Sequence, residues 1–447
     1  MKNYISDRIY LCKQDLTETQ IEDLKSLSSG KNPAYSLYQK MISTKPWLGR
    51  SKKFPEPPKT IELYTETATE LILPKGLYKQ IPIDLTDCTC KVPAKFTFTK
   101  TLREYQETAV STVTASRYGV LESKTGSGKT VMAIAITEKH QQKTLFIVHT
   151  KALLNQTIAA ADTFLGIKAG TIGGGKKDIK DFTVATIQSL QRSPPLKGTF
   201  GLILIDECHH IPSTTFSKVI MQLDSHYMYG LSATPSRPDG LTWALTATVG
   251  PFLHTVPKKD LLATKSVIKP IVISVDTPYN PSKVYDQFDL SAHLEDIAKS
   301  DLRNTFIANH FDRVYLANNK LSAVILTERT AHAEELAKKL KHHKPILLHG
   351  KLPEKIKTAN LDAVKKGEGY LTIATYSFVG EGFDIPGWDT LFLGSPFSSS
   401  IRLIQVLGRI SRPSEGKDVA YVYDYVDRAD PVLYNRYLKR LEEYGSI

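Results

Sequence analysis

Cysteine is scarce in this chain, with four in 447 residues, at Cys12, Cys88, Cys90 and Cys208. They form no Cys-x-x-Cys pair, and Cys88 and Cys90 stand too close to be neighbouring corners of a zinc knuckle of the usual spacing. A disulfide framework is not expected, and a reducing, intracellular (cytoplasmic) compartment is. Long apolar runs are missing too. None approaches the roughly 18 residues needed to span a bilayer. The opening "MKNYISDRIYL" lacks the apolar stretch of a signal peptide, so membrane insertion is not expected. Disorder-prone and low-complexity composition is absent: hydrophobic residues make up 41% and charged residues 23%, as in ordinary globular proteins. The chain does have length for two or three domains. It also has a basic excess, with 58 Lys and Arg against 46 Asp and Glu, a formal charge of +12. That excess points to a polyanionic partner such as nucleic acid.

Residues 1–95 read as a small α+β accessory domain. "TETQIEDLKSL" has helical spacing behind a Thr cap, "TKPWLGRSKKFPEPPKT" is a Pro-rich basic loop, and "TIELYTETATELILPKG" reads as one or two strands. No catalytic constellation lies there. From about residue 100, β-rich runs alternate with helical stretches: "TLFIVHT", "FTVATI", "GLILID" and "YMYGLSAT", then "LSAVILTE", "KPILLHG", "GYLTIATY", "TLFLGS" and "VAYVYDYV". This pattern predicts two tandem α/β domains with parallel sheets, over 96–260 and 261–447. The join falls in the proline-bearing stretch 251–300.

"SKTGSGKT", residues 123–130, sits between an apolar run and a helical one, the context of a phosphate-binding loop. Thr125, Gly126, Ser127 and Gly128 let backbone N–H groups curl around phosphate oxygens at a helix N-terminus. Lys129 reaches the β- and γ-phosphates, and the Thr130 hydroxyl ligates Mg²⁺. The first position of the GxxxxGK pattern is Ser123 rather than Gly. The continuous apolar run of "LILIDECHH", residues 202–210, predicts a strand buried on both faces. It ends at Asp206, where Mg²⁺ would be held, with Glu207 beside it to orient and deprotonate water. The competing reading is a metal cluster of Cys208, His209 and His210. Adjacent residues converge poorly on one ion, and no second cluster supplies further ligands.

These motifs resemble superfamily 2 DExH-box helicases. Asp206-Glu207-Cys208-His209 matches the DExH box. "LREYQ" carries Arg103 and Gln106, the latter matching the glutamine that reads adenine. "HTKALLNQ" is similar to motif Ia, "SATP" to motif III, "ATYSFVGEGFDIP" to motif V and "QVLGRISR" to motif VI. "SATPSRPDG" and "SDLRNTFIANH" resemble more narrowly the tailed-phage branch-migration helicases and excision-repair translocases. The resemblance implies two RecA-like motor domains and an ATP-dependent helicase.

It also implies site roles. Gln405, Arg409 and Arg412, spaced to share a helix face, supply charge to the γ-phosphoryl group. ATP with Mg²⁺ is sandwiched, with Gly382 and Asp384 lining the cleft from the second domain. His209, Ser232 and Thr234 couple nucleotide state to domain position, His209 through Gln405. Candidate phosphate contacts are Thr150, Lys151, Thr186, Ser189, Thr327, Arg329, Thr375 and Ser377. "GTIGGGKKD", from Gly173 to Lys177, is expected as a flexible basic loop. Only residues 387–404 separate motifs V and VI, too few for a long strand-separating hairpin. A junction-engaging role therefore passes to residues 1–95, with Arg50 to Lys53 and Trp47 as anchors. The expected partner is branched, forked or partly single-stranded DNA, with RNA the alternative, and the chain is expected to act as a monomer.

Overall fold

The computed structural model describes residues 2–44, 55–124, 126–193, 196–211, 214–233, 239–257, 260–261, 268–380, 387–397, 400–412 and 417–445. Two compact units divide the chain: Met1–Lys124 with Gly128–Pro257, and Lys258–Ile447 with Thr125–Ser127.

The first unit opens with seven short strands: β1 (Tyr4–Ile5), β2 (Ile9–Cys12), β3 (Ser29–Lys31), β4 (Thr60–Glu62), β5 (Thr65–Glu66), β6 (Glu70–Leu73) and β7 (Thr86–Asp87). Five make a sheet in the order β5-β6-β2-β1-β7, and β3 pairs with β4. Helix Glu18–Leu27 begins at the expected cap. Thr17 Oγ1 accepts from Gln20 N at 3.2 Å, and Thr17 N donates to Gln20 Oε1 at 2.8 Å.

This layer shares one hydrophobic core with the strands that follow. Ile5, Leu11, Leu71 and Leu77 join Tyr118, Val120, Leu145 and Ile203 in a single buried cluster. Residues 1–95, expected as a domain apart, thus lie in the same compact unit as the first parallel sheet. Lys75 makes the join specific. Its fully buried ammonium donates to Leu223 O at 3.0 Å, Ser225 O at 3.2 Å and Ser225 Oγ at 3.3 Å. Burial pushes its pKa down to about 8.

An eight-stranded sheet follows. Its strands are β8 (Tyr118–Glu122), β9 (Thr144–Val148), β10 (Gly170–Gly173), β11 (Lys176–Asp178), β12 (Phe182–Thr186), β13 (Leu202–Asp206), β14 (Tyr227–Ser232) and β15 (Phe252–Thr255). Their order is β11-β10-β12-β9-β13-β14-β8-β15. Every pairing is parallel except β10 with β11. β9, β12 and β13 are buried at every residue, as their apolar runs require.

The second unit holds an all-parallel six-stranded sheet of β16 (Pro270–Asp276), β17 (Ala323–Thr327), β18 (Ile346–Leu348), β19 (Leu371–Thr375), β20 (Thr390–Leu393) and β21 (Ala420–Val426), ordered β16-β21-β20-β17-β19-β18. β16 lies in the stretch read from sequence as a linker. "SDLRNTFIANH" opens helix Asp301–Ala317, and its arginine is structural. Arg303, wholly buried, grips Asp427 with two guanidinium nitrogens at 2.7 and 3.0 Å and donates to Gly394 O at 2.8 Å.

Candidate nucleotide site and nucleic-acid edge

The strand order brings the motif residues of the first unit to one edge. Parallel register aligns Thr186 with Val148, Asp206 with Leu231 and Ser232 with Glu122. The carboxyl ends of β12, β9, β13, β14 and β8 therefore lie side by side, where ligands bind in such sheets.

The glycine loop leaves β8 at Ser123, whose N–H bonds Ser232 O at 2.9 Å. Gly126 and Gly128 take left-handed φ of 88° and 82°. Gly128 caps helix Lys129–His140 without a side-chain bond, so no capping side chain occupies the N–H groups of the first turn, the place where a helix start binds an anion. Lys129 Nζ rests on Ser123 O at 3.2 Å, and Thr130 lies in the same first turn. Gln106 closes the loop from the side. Its Oε1 accepts from Arg103 N at 3.0 Å. Its Nε2 lies so near Gly128 that a Cβ there would approach it to 2.5 Å. Arg103 itself points Nη1 to the Tyr105 hydroxyl, 3.2 Å away.

Asp206 ends β13, and its Oδ1 accepts from Glu207 N at 3.0 Å. Glu207 adopts φ 48° and ψ 49°, left-handed for a residue with a Cβ. Such strain costs on the order of 1–3 kcal/mol and collects at functional sites. Burial, then the Glu207 charge, pushes the Asp206 carboxyl up. Glu207 is held below the usual range against its own burial, by the Lys129 ammonium and the neighbouring His209 imidazole. His209 Nδ1 stands 3.2 Å from Glu207 Oε2 and 3.0 Å from Ser232 Oγ, so one imidazole links the acidic pair to the end of β14. Cys208 is a fully buried core residue packed against Gly230, and burial pushes its thiol well up.

Sequence reasoning missed two neighbours. His149 stacks on His210 with ring centroids 4.4 Å apart, and Gln188 Nε2 donates to His149 O at 3.1 Å. His149 opens the motif Ia stretch and His210 directly follows the DExH box, but no spacing rule says that positions 149 and 210 meet.

Thr150 caps helix Lys151–Leu165, its hydroxyl accepting from Leu153 N at 3.3 Å, and Lys151 is exposed at that helix start. Thr186 Oγ1 donates to Ser189 Oγ at 2.9 Å. The stretch Gly173–Lys177 is no flexible loop. Gly174 and Gly175, both left-handed, form a two-residue turn that pairs Gly173 with Lys176 in an antiparallel hairpin.

In the second unit, Thr327 and Thr375 stand opposite each other at the carboxyl ends of β17 and β19. Thr327 Oγ1 donates to Arg329 O at 3.0 Å, and Thr375 Oγ1 lies 3.3 Å from Ser377 Oγ. Arg329 Nη2 holds Ser291 through O at 3.1 Å and Oγ at 2.5 Å. Helix Ser400–Ile410 carries positions 405 and 409 but ends before Arg412. The expectation of one shared helix face is corrected there: Arg412 follows in a turn, its N–H bonding Arg409 O at 3.2 Å. Burial pushes the Arg412 pKa down. Thr125, Thr234, Gly382, Asp384, Trp47, the stretch Arg50 to Lys53 and the Gln405 side chain lie outside the described residues.

Two family models match the chain, together over more than half its length: "Type III restriction enzyme, res subunit" over 99–237 and "Helicase conserved C-terminal domain" over 307–414. A putative ATP-dependent RNA helicase of Acanthamoeba polyphaga mimivirus is 28% identical over 346 residues, covering 74% of this chain and 65% of its own length. A DNA 3′-5′ translocase of Sulfurisphaera tokodaii is 34% identical over 178 residues, covering 39% of this chain and 40% of its own length. The ATP-dependent DNA helicase uvsW of Enterobacteria phage T4 is 24% identical over 348 residues, covering 73% and 68%. The chain thus spans just under two thirds of the viral relative and well under half of the archaeal one.

Proposed function

The chain belongs to the superfamily 2 helicases, of the kind that includes phage branch-migration helicases and repair translocases, and from that premise we propose that it hydrolyses ATP to move on DNA and to unwind or branch-migrate forked and Holliday-type junctions. The observation that carries the reading is the bridge of His209 between Glu207 and Ser232, at the edge that also bears the glycine loop. A carboxylate beside an imidazole that bonds a second strand end suits a motor, in which hydrolysis must be felt beyond the phosphate site.

In this mechanism Lys129 and the first-turn N–H groups of helix Lys129–His140 bind the phosphates. The Thr130 hydroxyl and the Asp206 carboxylate form an all-oxygen donor set that fits Mg²⁺. The ion neutralises charge on the phosphates when bound. Glu207, kept ionised by Lys129 and His209, orients water and takes its proton. From the resemblance of their stretch to motif VI, Arg409 and Arg412 would supply charge to the γ-phosphoryl group. The hydroxyls and lysine at the strand ends grip phosphates without reading bases. Membrane work is not part of the reading; among the described residues no helix is long and apolar enough to cross a bilayer.

ATPase rates with single-stranded DNA, duplex DNA, a Holliday junction and RNA, at one salt concentration, test the proposal. Stimulation by junctions and single-stranded DNA is expected. Stimulation by RNA alone would instead favour the activity named for the mimivirus relative. Full ATPase activity in Lys129→Ala would overturn the site assignment.

A further inference from the structure

The second unit carries a donor cluster that the nucleotide chemistry does not use. Asp312 lies on helix Asp301–Ala317, and His342 and His343 end the 3₁₀ turn Lys341–His343 that follows helix Thr330–Lys339. Their two rings lie side by side, with centroids 4.2 Å apart. Here both imidazoles turn Nε2 to the same carboxylate oxygen: Asp312 Oδ1 is 3.1 Å from His342 and 2.6 Å from His343. All three ligand atoms lie within 4.8 Å of one another.

His343 is also held from behind. Its Nδ1 lies 2.7 Å from the Tyr370 hydroxyl, and Tyr370 is itself stacked on Tyr315 with centroids 4.6 Å apart. That is how outer partners orient a ligating histidine, with one ring nitrogen anchored and the other presented. The His343 side chain is 8% exposed, Asp312 34% and His342 55%, so the cluster is firm on one side and open on the other. An open side gives an ion a path in and leaves room for water to complete its shell. Lys341 and Lys344 flank the turn but are exposed, where solvent screens their charge.

We propose that Asp312, His342 and His343 bind a divalent transition-metal ion, Zn²⁺ foremost. Two imidazoles and one carboxylate, with water in the fourth place, are donors that a borderline-soft ion takes. Mg²⁺ wants more oxygen, so this site is distinct in chemistry from Thr130 and Asp206. On binding, each imidazole gives its Nε2 lone pair to the ion and keeps its single ring proton on Nδ1, so that His343 Nδ1–H donates to the Tyr370 oxygen; a second ring proton, where one was present, leaves to water. The ion cross-links the helix that carries Arg303 to the turn after Thr330–Lys339. It therefore stabilises this flank of the second unit and requires nothing of the ATPase reading.

The test uses the full chain, stripped with chelator and kept in excess Mg²⁺ so that hard-cation sites are filled. Zn²⁺ affinity is read by competition with a chromophoric chelator, and Co²⁺ absorption reports geometry. One equivalent of Zn²⁺ and tetrahedral Co²⁺ bands are expected. His342→Ala alters an exposed side chain and Asp312→Asn is isosteric, so both variants should fold; each should lower affinity by at least about 100-fold, and Tyr370→Phe by about 10- to 100-fold. Zn²⁺ should raise the melting temperature of the parent and not of His342→Ala. If the parent takes up no Zn²⁺, or both ligand variants keep its affinity, the three side chains are an ion-paired cluster and the proposal falls.

Discussion

Replacing Gly128 by Ala tests the link between the glycine loop and Gln106. Two costs follow from the geometry. Gly128 sits at φ 82° and ψ 39°, and a residue with a Cβ pays about 1–2 kcal/mol in that region. The new methyl would also lie 2.5 Å from Gln106 Nε2. The amide must swing away, losing the bond from Arg103 N to Oε1, a change of about 1 kcal/mol. The sum is about 2–3 kcal/mol, or about 30- to 150-fold in affinity for a phosphate ligand that needs the loop in this form. The substitution leaves the strand pairings themselves unchanged, so the melting temperature should move little. The assay is nucleotide binding by isothermal titration for the parent, Gly128→Ala, Gln106→Ala and the double variant. Removing Gln106 also removes the clash, so the second substitution should cost less in the Gly128→Ala background. Unchanged nucleotide affinity in Gly128→Ala, or strict additivity of the two changes, would refute the reasoning.

Three further outcomes are expected. Ser232→Ala removes one partner of His209 Nδ1 and should lower DNA-stimulated turnover about tenfold, the effect of one hydrogen bond, with nucleotide affinity retained; steady-state kinetics decide it. Lys151→Ala should weaken DNA binding evenly across sequences and reduce the slope of log K against log salt by about 1, which fluorescence anisotropy measures. Lys75→Met should alter stability in alkali. Burial lowers the folded pKa to about 8, below the unfolded value, so between those values the unfolded state binds more protons and stability rises with pH. Urea unfolding from pH 7 to pH 10.5 should show a rise of about 3 kcal/mol in the parent that Lys75→Met lacks; equal slopes would count against a buried ammonium.

How much of the site was legible in sequence varied by residue. Asp206 could be placed because an unbroken apolar run must be a strand buried on both faces, and a carboxylate at its end has few other uses. The glycine loop was legible because its backbone angles admit little else. The Gly173–Lys177 stretch was misread because three glycines suggest freedom, whereas Gly174 and Gly175 each take the positive φ that a tight hairpin turn demands. Arg412 was placed on a helix face by spacing alone, and spacing does not reveal that the helix ends at Ile410. β16 was missed because it lies in a stretch read as a proline-bearing join, yet it pairs with β21, far along the chain.

Local patterns, with periods of two and about four residues and a few turn residues, settled by themselves most of the core strands and helices of the two sheets, though not β16 or the hairpin at Gly174 and Gly175. With the motif order they also settled the family, because both are properties of neighbours in the chain. Tertiary structure decided which distant residues meet. It merged residues 1–95 into one core with the first sheet through Lys75. It set His209 between Glu207 and Ser232, stacked His149 on His210, and turned two adjacent histidines onto Asp312. Those contacts depend on strand order and crossover, and residues far apart in sequence carry no local trace of either.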